Sequence, residues 1–207
     1  TVYGYSNLGA TLMGLLVERV SGLEFTGYTD ANIFAAMGMP MSSFTPKPQM
    51  EPYLSKDYDS QGEETRYVYV NSMSAGSALS NATDMAHFIK TLLAEGRNGA
   101  QQIVTPASLQ EMWTRQNGEA KLDFDFQFGL YWILTDPEFQ YAGKAVGFAG
   151  DSVYQHSRLI ILPDQQLGVF VVTNSALGGA VARSVAVTAL QSAVNEKAGL
   201  IPPAPPA

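Results

Sequence analysis

The spacing of apolar residues changes near residue 126, and this change limits the possible folds more than any other feature of the chain. Upstream, apolar residues recur every three or four positions, which is typical of helices. Downstream, segments at Phe128–Leu134, 157–162 and 167–173 are rich in β-branched and aromatic residues, which is typical of strands. Helical spacing returns over 176–198. We therefore expect an α+β fold, with a helical region segregated from an antiparallel sheet that a C-terminal helix closes.

The first 125 residues predict four helices and one long loop. Capping residues, glycines and prolines set the expected ends. The predicted helices run from Ser6 or Asn7 to Gly22, from Thr29 or Asp30 to Gly38, from Ser80 or Thr83 to Gly96, and onward from Thr105–Pro106. Residues 41–75 contain many Pro, Ser, Asp and Tyr without a sustained period, so they predict a loop with a short strand at Tyr67–Val70. Loops of this length are usually functional or mobile.

Apolar residues at helical spacing define one side of the first and the last predicted helices. In the first helix they are Leu8, Leu12, Leu15, Leu16 and Val20. In the last helix they are Val181, Val185, Ala189, Leu190 and Val194. We expect the last helix to pack on the sheet through this side, because its other side is polar.

Charge and composition exclude several classes of function. The net charge is −7 and no Lys/Arg cluster occurs, which argues against nucleic acid or an anionic membrane surface as a partner. The chain has no cysteine, and its two histidines, His87 and His156, are far apart, so we expect neither a metal site nor a cofactor. The apolar stretches are far shorter than the roughly 18 residues that a membrane span needs.

The segment Tyr5-Ser6-Asn7 and the helix after it carry the most specific pattern in the chain. Taken by themselves, these three residues indicate only a capped helix start. With the following Leu15-Leu16-Val17-Glu18-Arg19-Val20-Ser21-Gly22, the segment resembles the Tyr-x-Asn motif and helix of penicillin-binding-protein and class C β-lactamase-like serine hydrolases. That family includes D-alanyl-D-alanine peptidases and esterases.

Two later segments resemble the same family in the same order. Residues 75–96 are similar to a recurrent stretch, and 146–175 are similar to the family's sheet and third motif. The resemblance implies a β-lactamase/transpeptidase-like fold in which residues 1–200 form the C-terminal part of a single domain. Within it, 1–125 are mainly helical with the loop 41–75, and 126–198 hold the strands and the C-terminal helix. The Pro-rich tail 201–207 is expected to be extended.

The resemblance implies catalytic roles for Tyr5 and Asn7. In the family, the tyrosine hydroxyl lies beside a nucleophilic serine and a lysine, and the asparagine amide orients lysine and substrate. A serine hydroxyl needs a neighbouring base, and a tyrosine serves as one only if nearby positive charge lowers its pKa. The resemblance also implies that the backbone of Gly150 and Asp151 faces the substrate and its oxyanion.

The third motif departs from the family pattern at two positions. Phe148 stands where the family has Lys or His, and Ala149 stands where it has Thr, Ser or Gly. Phenylalanine cannot donate a proton or attract a carboxylate, so the contribution of that cation is lost. We expect Phe148 and Ala149, together with Tyr67 and Tyr69 of the long loop, to influence substrate specificity. Residues 147–150 also fit a plain strand of small residues with a bend.

The family's Ser-x-x-Lys, which supplies the nucleophile and the lysine, is absent from these 207 residues. Ser43 has a lysine at the fourth following position instead of the third, with Pro46 between. Thr1 opens directly into a helical pattern without an initiator methionine or a signal region, so we expect the natural protein to begin upstream and to carry the motif there. The chain alone should be catalytically silent.

A nucleophile within the chain has little support. Residues 4–9 nearly match the Gly-x-Ser-x-Gly elbow of α/β-hydrolases, and Asp151 and His156 are available as triad partners for Ser6. The second glycine of that pattern is one position late, however, and no strand precedes it.

These observations predict a serine hydrolase that forms an acyl-enzyme with a small-molecule or peptide amide or ester. The alternative, favoured by Phe148, is a non-catalytic relative that binds peptide or cell-wall fragments. A third hypothesis is a fragment that does not fold stably alone, because missing polypeptide leaves a sheet edge open. The resemblance implies a periplasmic or secreted location, and the sequence indicates no particular oligomeric state.

Overall fold

A computed structural model describes residues 4–68, 70–119 and 126–203 of the chain. It confirms the α+β class, with helices followed by an antiparallel sheet and a long closing helix. The chain divides into two compact units. The helical unit consists of Gly4–Asp57 and Glu64–Thr105, and the sheet unit consists of Tyr58–Glu63 and the described residues from Pro106 onward.

The first helix, α1, spans Asn7–Ser21, as its spacing predicts. The Ser6 hydroxyl accepts a hydrogen bond from the Gly9 N–H at 3.0 Å, so Ser6 is the cap. Gly22 ends the helix with a φ of 72°, and its N–H donates to the Glu18 carbonyl. Glycine adopts this left-handed conformation without strain. Local chemistry alone therefore fixes both ends of α1.

The second helical segment begins earlier than predicted. It consists of α2 (Phe25–Thr29), one π-helical turn (Asp30–Phe34) and α3 (Ala35–Met37), and Gly38 ends it with a φ of 75°. The Phe25 N–H donates to the Glu18 side chain of α1 at 2.9 Å, which satisfies one donor at the start of α2. Because this cap comes from another helix, the capping residues near position 29 gave the wrong start.

The loop 41–75 contains only short regular pieces. They are a 3₁₀ turn at Glu51–Tyr53, strands β1 (Asp57–Tyr58) and β2 (Glu64–Thr65), and the short helix α4 (Met73–Gly76). The strand predicted at Tyr67–Val70 is not present at residues 67, 68 or 70, and Tyr69 lies outside the described residues. The prediction of a long loop is confirmed, and the prediction of its strand is wrong at those three positions.

The apolar side of α1 is exposed, although its spacing is that of a packed helix. Leu8, Leu12, Leu15, Leu16 and Val20 are between 45% and 81% exposed. Within the helical unit, α1 contacts α2 and α4, and Gly14 is its one buried residue. A Cβ on Gly14 would lie 2.6 Å from the Ser74 Cβ, so glycine permits the close approach of α4. The helix therefore packs through its glycine side and leaves its leucines in solvent.

Helix α5 spans Ala82–Leu93 and is followed by a hairpin of β3 (Arg97–Asn98) and β4 (Gln101–Gln102). Its cap is Asn81, whose side chain accepts from the Asp84 N–H at 2.9 Å, so neither predicted cap, Ser80 or Thr83, is used. The Ser80 hydroxyl instead bonds Ser42 at 2.7 Å. Because Ser80 is engaged in this long-range contact, the cap is the next residue, Asn81.

Replacing Gly96 with alanine is expected to destabilise the helical unit by about 2–3 kcal/mol. Gly96 has a φ of 81°, and a Cβ there would overlap the backbone carbonyl oxygen of Val104. Gly99→Ala is the matched control, because Gly99 also has a positive φ, 57°, but has no atom within 4 Å of the added Cβ. Urea denaturation gives the free energy of unfolding lost in each variant, and the difference between the two losses measures the steric clash alone. Equal losses would contradict the predicted clash.

The sheet unit contains helix α6 (Pro106–Met112), a 3₁₀ segment at Pro137–Ala142, and three strands, β5 (Val146–Asp151), β6 (His156–Leu162) and β7 (Leu167–Thr173). The strands pair antiparallel in the order β5-β6-β7. The strand predicted at Phe128–Leu134 is reduced to isolated bridges from Ile133 to Phe128 and Gly147. The chain turns sharply there, and Tyr131 has a φ of 62°, which a continuous strand does not allow.

The closing helix, α7 (Gly178–Ala198), packs on the sheet as predicted, and Leu190 and Val194 of the predicted side are buried, but the rest of the buried side differs. Its buried residues recur every four positions and are Gly178, Ala182, Ala186, Leu190 and Val194. Val181 and Val185 of the predicted side are about half exposed. Small residues bring the helix axis close to the strands, where Ala186 and Leu190 join Phe139, Ile160 and Leu162 in the core. Close packing thus buries Ala182 and Ala186 in place of Val181 and Val185.

None of the helices in the described part of the chain has the length and apolar character that a membrane crossing requires.

Candidate functional site

Tyr5 and Asn7 meet at the exposed start of α1. Ser6 has an extended backbone, with φ −147° and ψ 114°, so the side chains on either side of it point the same way. The Tyr5 hydroxyl donates a hydrogen bond to Asn7 Oδ1 at 2.8 Å, and the tyrosine is 53% exposed. The phenol ring is therefore not packed into the core.

The register of β5 decides which of its peptide groups reach the outer edge of the sheet. Gly147 exchanges two backbone hydrogen bonds with Ile133, at 2.9 and 3.0 Å, so its peptide groups point away from β6. Peptide directions alternate along a strand, so Ala149 and Asp151 point to the same outer edge and Gly150 points towards β6. Of the two residues predicted to offer backbone groups, only Asp151 aims its N–H at this edge.

Gly150 has a packing role instead. A Cβ on Gly150 would lie 2.7 Å from the Ser157 hydroxyl oxygen on the neighbouring strand. Glycine therefore lets β5 and β6 approach closely beside the edge that Asp151 presents.

The two variable positions of the third motif lie on opposite faces of the sheet. Ala149 pairs with Arg158 on the face covered by α7, whereas Phe148 pairs with Leu159 on the other face. Both are partly buried. A cavity of about 270 Å³ borders both residues. Tyr67 is exposed in the irregular chain after β2, and Tyr69 lies outside the described residues.

Asp151 forms an ion-pair cluster that no sequence motif predicts. His156 Nδ1 lies 2.7 Å from Asp151 Oδ1, and Arg158 Nη1 lies 3.0 Å from Oδ1 and 3.1 Å from Oδ2. Burial alone raises the pKa of Asp151, but hydrogen bonds from His156 and Arg158 and their charges outweigh it and hold that pKa below its ordinary value. Asp151 is therefore an ionised carboxylate at neutral pH. The sequence pattern links Asp151 to His156 only as triad partners of Ser6, and Ser6 is instead the cap of α1.

A second ion pair lies beside the same cavity. Arg183 of α7 donates two hydrogen bonds to Asp136, each 2.9 Å long, and these bonds raise the pKa of Arg183. The partners are 47 residues apart, and no motif links them. Among the described residues, no group of three His, Asp or Glu side chains is placed to hold a metal ion.

The family model of Beta-lactamase matches residues 1–193, almost the entire chain. The chain belongs to the Beta-lactamase family. A comparison with curated proteins gave no match.

Solved structures related to the Beta-lactamase family share the fold of this chain at low identity. An octameric penicillin-binding protein homologue from Pyrococcus abyssi has 23% identity and a TM-score of 0.76, covering 94% of this chain and 43% of its own. A β-lactamase from Sulfitobacter sp. EE-36 has 18% identity and a TM-score of 0.71, with coverages of 92% and 60%. A β-lactamase/D-alanine carboxypeptidase from Pseudomonas syringae has 15% identity and a TM-score of 0.70, with coverages of 89% and 58%.

These matches confirm the predicted β-lactamase/transpeptidase-like fold. The chain spans 43% to 60% of the length of the three solved structures. As a Beta-lactamase family member, it contributes two groups of candidate site residues, Tyr5 with Asn7 in the helical unit and the Phe148–Asp151 edge in the sheet unit.

Proposed function

We propose that this chain is part of a serine hydrolase that forms an acyl-enzyme with an amide or ester, in the β-lactamase, D-alanyl peptidase or esterase class. The observation that carries the proposal is the Tyr5–Asn7 pair, hydrogen-bonded at 2.8 Å at the exposed start of α1 in a Beta-lactamase family chain. The names of the neighbours from Sulfitobacter and Pseudomonas syringae support the same class of substrate.

In this proposal the nucleophilic serine and its lysine come from polypeptide outside these 207 residues, since Ser-x-x-Lys does not occur within them. The lysine charge stabilises the phenolate form of Tyr5, and the phenolate takes the proton from the serine hydroxyl. The serine oxygen then bonds the carbonyl carbon, and the bond from that carbon to nitrogen or oxygen breaks. Tyr5 returns the proton to the leaving group, and water later hydrolyses the acyl-enzyme.

The chain's other site residues have supporting roles in this proposal. The Asn7 amide orients the substrate and the lysine. The Asp151 N–H on the outer edge of β5 donates to the oxyanion that forms as the serine attacks. Phe148, Ala149, Tyr67 and Tyr69 influence which acyl group is accepted, and the substrate is a small molecule or a peptide.

The test is covalent labelling of the longer protein that supplies the Ser-x-x-Lys segment, with a fluorescent penicillin and an activated ester as probes. We expect one probe to form a stable adduct that mass spectrometry places on the serine of that segment. The 207-residue chain alone is the matched control and should remain unlabelled. Labelling that persists after the serine is changed to alanine would contradict the proposal.

A second candidate function is binding without turnover, and Phe148 is the observation that favours it. A phenyl ring at this position removes the cation that the family places against the substrate. In that case, cell-wall peptides bind the folded protein in calorimetry while neither probe forms an adduct. Adduct formation excludes this candidate.

A further inference from the structure

The sheet face beneath α7 changes from apolar to charged towards the end of β5. Paired residues across the three strands share a face, and the rung of Gly147, Ile160 and Val169 is uncharged. The last rung holds Asp151, His156 and Thr173. Arg158, one rung earlier, also lies on this face. A carboxylate therefore sits on the residue whose N–H points to the outer edge of the sheet.

The Asp151 carboxylate is held on both oxygens. Its Oδ1 atom is contacted by His156 at 2.7 Å and by Arg158 at 3.0 Å, and its Oδ2 atom by Arg158 at 3.1 Å. Arg158 is itself fixed by a 2.7 Å bond from Nη1 to the Ser157 carbonyl. The side chains of His156 and Arg158 are only 13% and 16% exposed, whereas that of Asp151 is 47% exposed. Two nearly buried groups thus fix a more exposed one.

The first turn of α7 keeps His156 in place. A Cβ on Gly179 would lie 3.2 Å from His156 Nδ1, and a Cβ on Gly178 would overlap the Thr173 hydroxyl, so this glycine pair lets the helix cover the rung closely. His156 Nε2 is buried and has no hydrogen-bond partner among the described residues. Because an ionised carboxylate only accepts, the proton of the imidazole bond lies on Nδ1. The ring is therefore oriented by Asp151 and by packing.

An unpaired carboxylate on Asp151 would oppose the proposed reaction. Negative charge develops on the substrate oxygen that the Asp151 N–H would bind, and a second negative charge close by raises the energy of that state. A cation bonded to the carboxylate removes most of this repulsion. It also fixes the end of β5, so that the N–H keeps its direction.

We propose that Arg158 and His156 are positioning residues, Arg158 neutralising and His156 orienting the Asp151 carboxylate, so that the residue 151 N–H can stabilise an anionic transition state. The inference rests on the proposed acyl transfer and goes beyond it, because it assigns roles to two residues that the proposed mechanism does not use.

The decisive experiment is a charge rescue in the nucleophile-bearing protein. We expect Arg158→Met to lower the acylation rate with the fluorescent penicillin or ester about tenfold. Adding Asp151→Asn should bring the rate back to within about threefold of the unsubstituted protein, because the double variant no longer carries the repelling charge. Lys197→Met is the control, since Lys197 bonds the Gln165 and Gln166 carbonyls near the start of β7. A double variant as slow as Arg158→Met overturns the neutralising role.

A second measurement needs no turnover, so it separates this inference from the proposed function. In NMR spectra of the folded chain, we expect the His156 proton on Nδ1 and the Asp151 carboxyl to titrate below its ordinary pKa. Amide exchange at Gly150, whose N–H points towards β6, should be about tenfold faster in His156→Gln than in Lys197→Met. A proton on Nε2, or an ordinary Asp151 titration, overturns the inference even where a variant fails to fold. If the protein forms no adduct but these signals are as expected, the proposed function fails and the cluster stands.

Discussion

Tyr5→Phe is expected to slow acylation about 100-fold or more in the protein that carries the nucleophile, because general-base catalysis contributes about 10²–10⁴-fold. Phenylalanine keeps the ring and removes the hydroxyl that bonds Asn7 at 2.8 Å. Stopped-flow measurement of adduct formation with the fluorescent probe gives the rate directly. Since Tyr5 is 53% exposed, the loss of the hydroxyl should leave the unfolding transition almost unchanged.

Tyr53→Phe is the matched control for this prediction. Tyr53 is 78% exposed in the 3₁₀ turn Glu51–Tyr53 and is not among the candidate site residues. Its variant should acylate at the unsubstituted rate. If Tyr5→Phe acylates as fast as Tyr53→Phe, Tyr5 has no part in proton transfer, and the mechanism needs another base.

Asp84→Ala is expected to destabilise the helical unit by about 3 kcal/mol, since each unsatisfied buried donor costs about 1–3 kcal/mol. Asp84 is 2% exposed, and its Oδ2 atom accepts from the Met41 N–H at 2.8 Å and the Ser42 hydroxyl at 2.7 Å. Alanine leaves the partly buried Met41 N–H and the buried Ser42 hydroxyl without this acceptor. These bonds also fix the chain after α3 to α5, so their loss should loosen residues 41–43. Urea denaturation monitored by tryptophan fluorescence or circular dichroism measures the change.

Two variants sharpen this measurement. Asp84→Asn keeps one acceptor oxygen and should lose less stability than the alanine variant. Glu196→Ala, at an exposed position of α7, should change the free energy of unfolding by less than about 0.5 kcal/mol. An Asp84→Ala variant as stable as Glu196→Ala would show that Met41 and Ser42 find other acceptors.

The sequence predicts only those residues of the candidate site that belong to family motifs. The site roles of Tyr5 and Asn7 are implied by the family resemblance, and their hydrogen bond needs only the extended backbone at Ser6 and the start of α1. Asp151 was named from resemblance. Its outward N–H depends on the bonds between Gly147 and Ile133, which are set by the register of β5 and not by the residues around Asp151.

Local sequence is enough to predict the elements whose ends depend on neighbouring residues. The ends of α1, the start of α6 and the limits of β7 follow from caps, a proline, a turn and apolar periods, all of which act within a few positions.

Tertiary structure alone decided which side of each element is buried and which distant residues meet. In α1 the glycine side is buried, although the apolar spacing also offers leucines. In α7 the small-residue side is buried, although the spacing also offers valines. Close packing decides between such sides, because it depends on the partner surface. The contacts of Asp151 with Arg158, and of Asp136 with Arg183, join separate elements through strand register and helix docking. Local patterns carry no information about such pairs, because register and docking are set by the summed packing of the sheet and its helix.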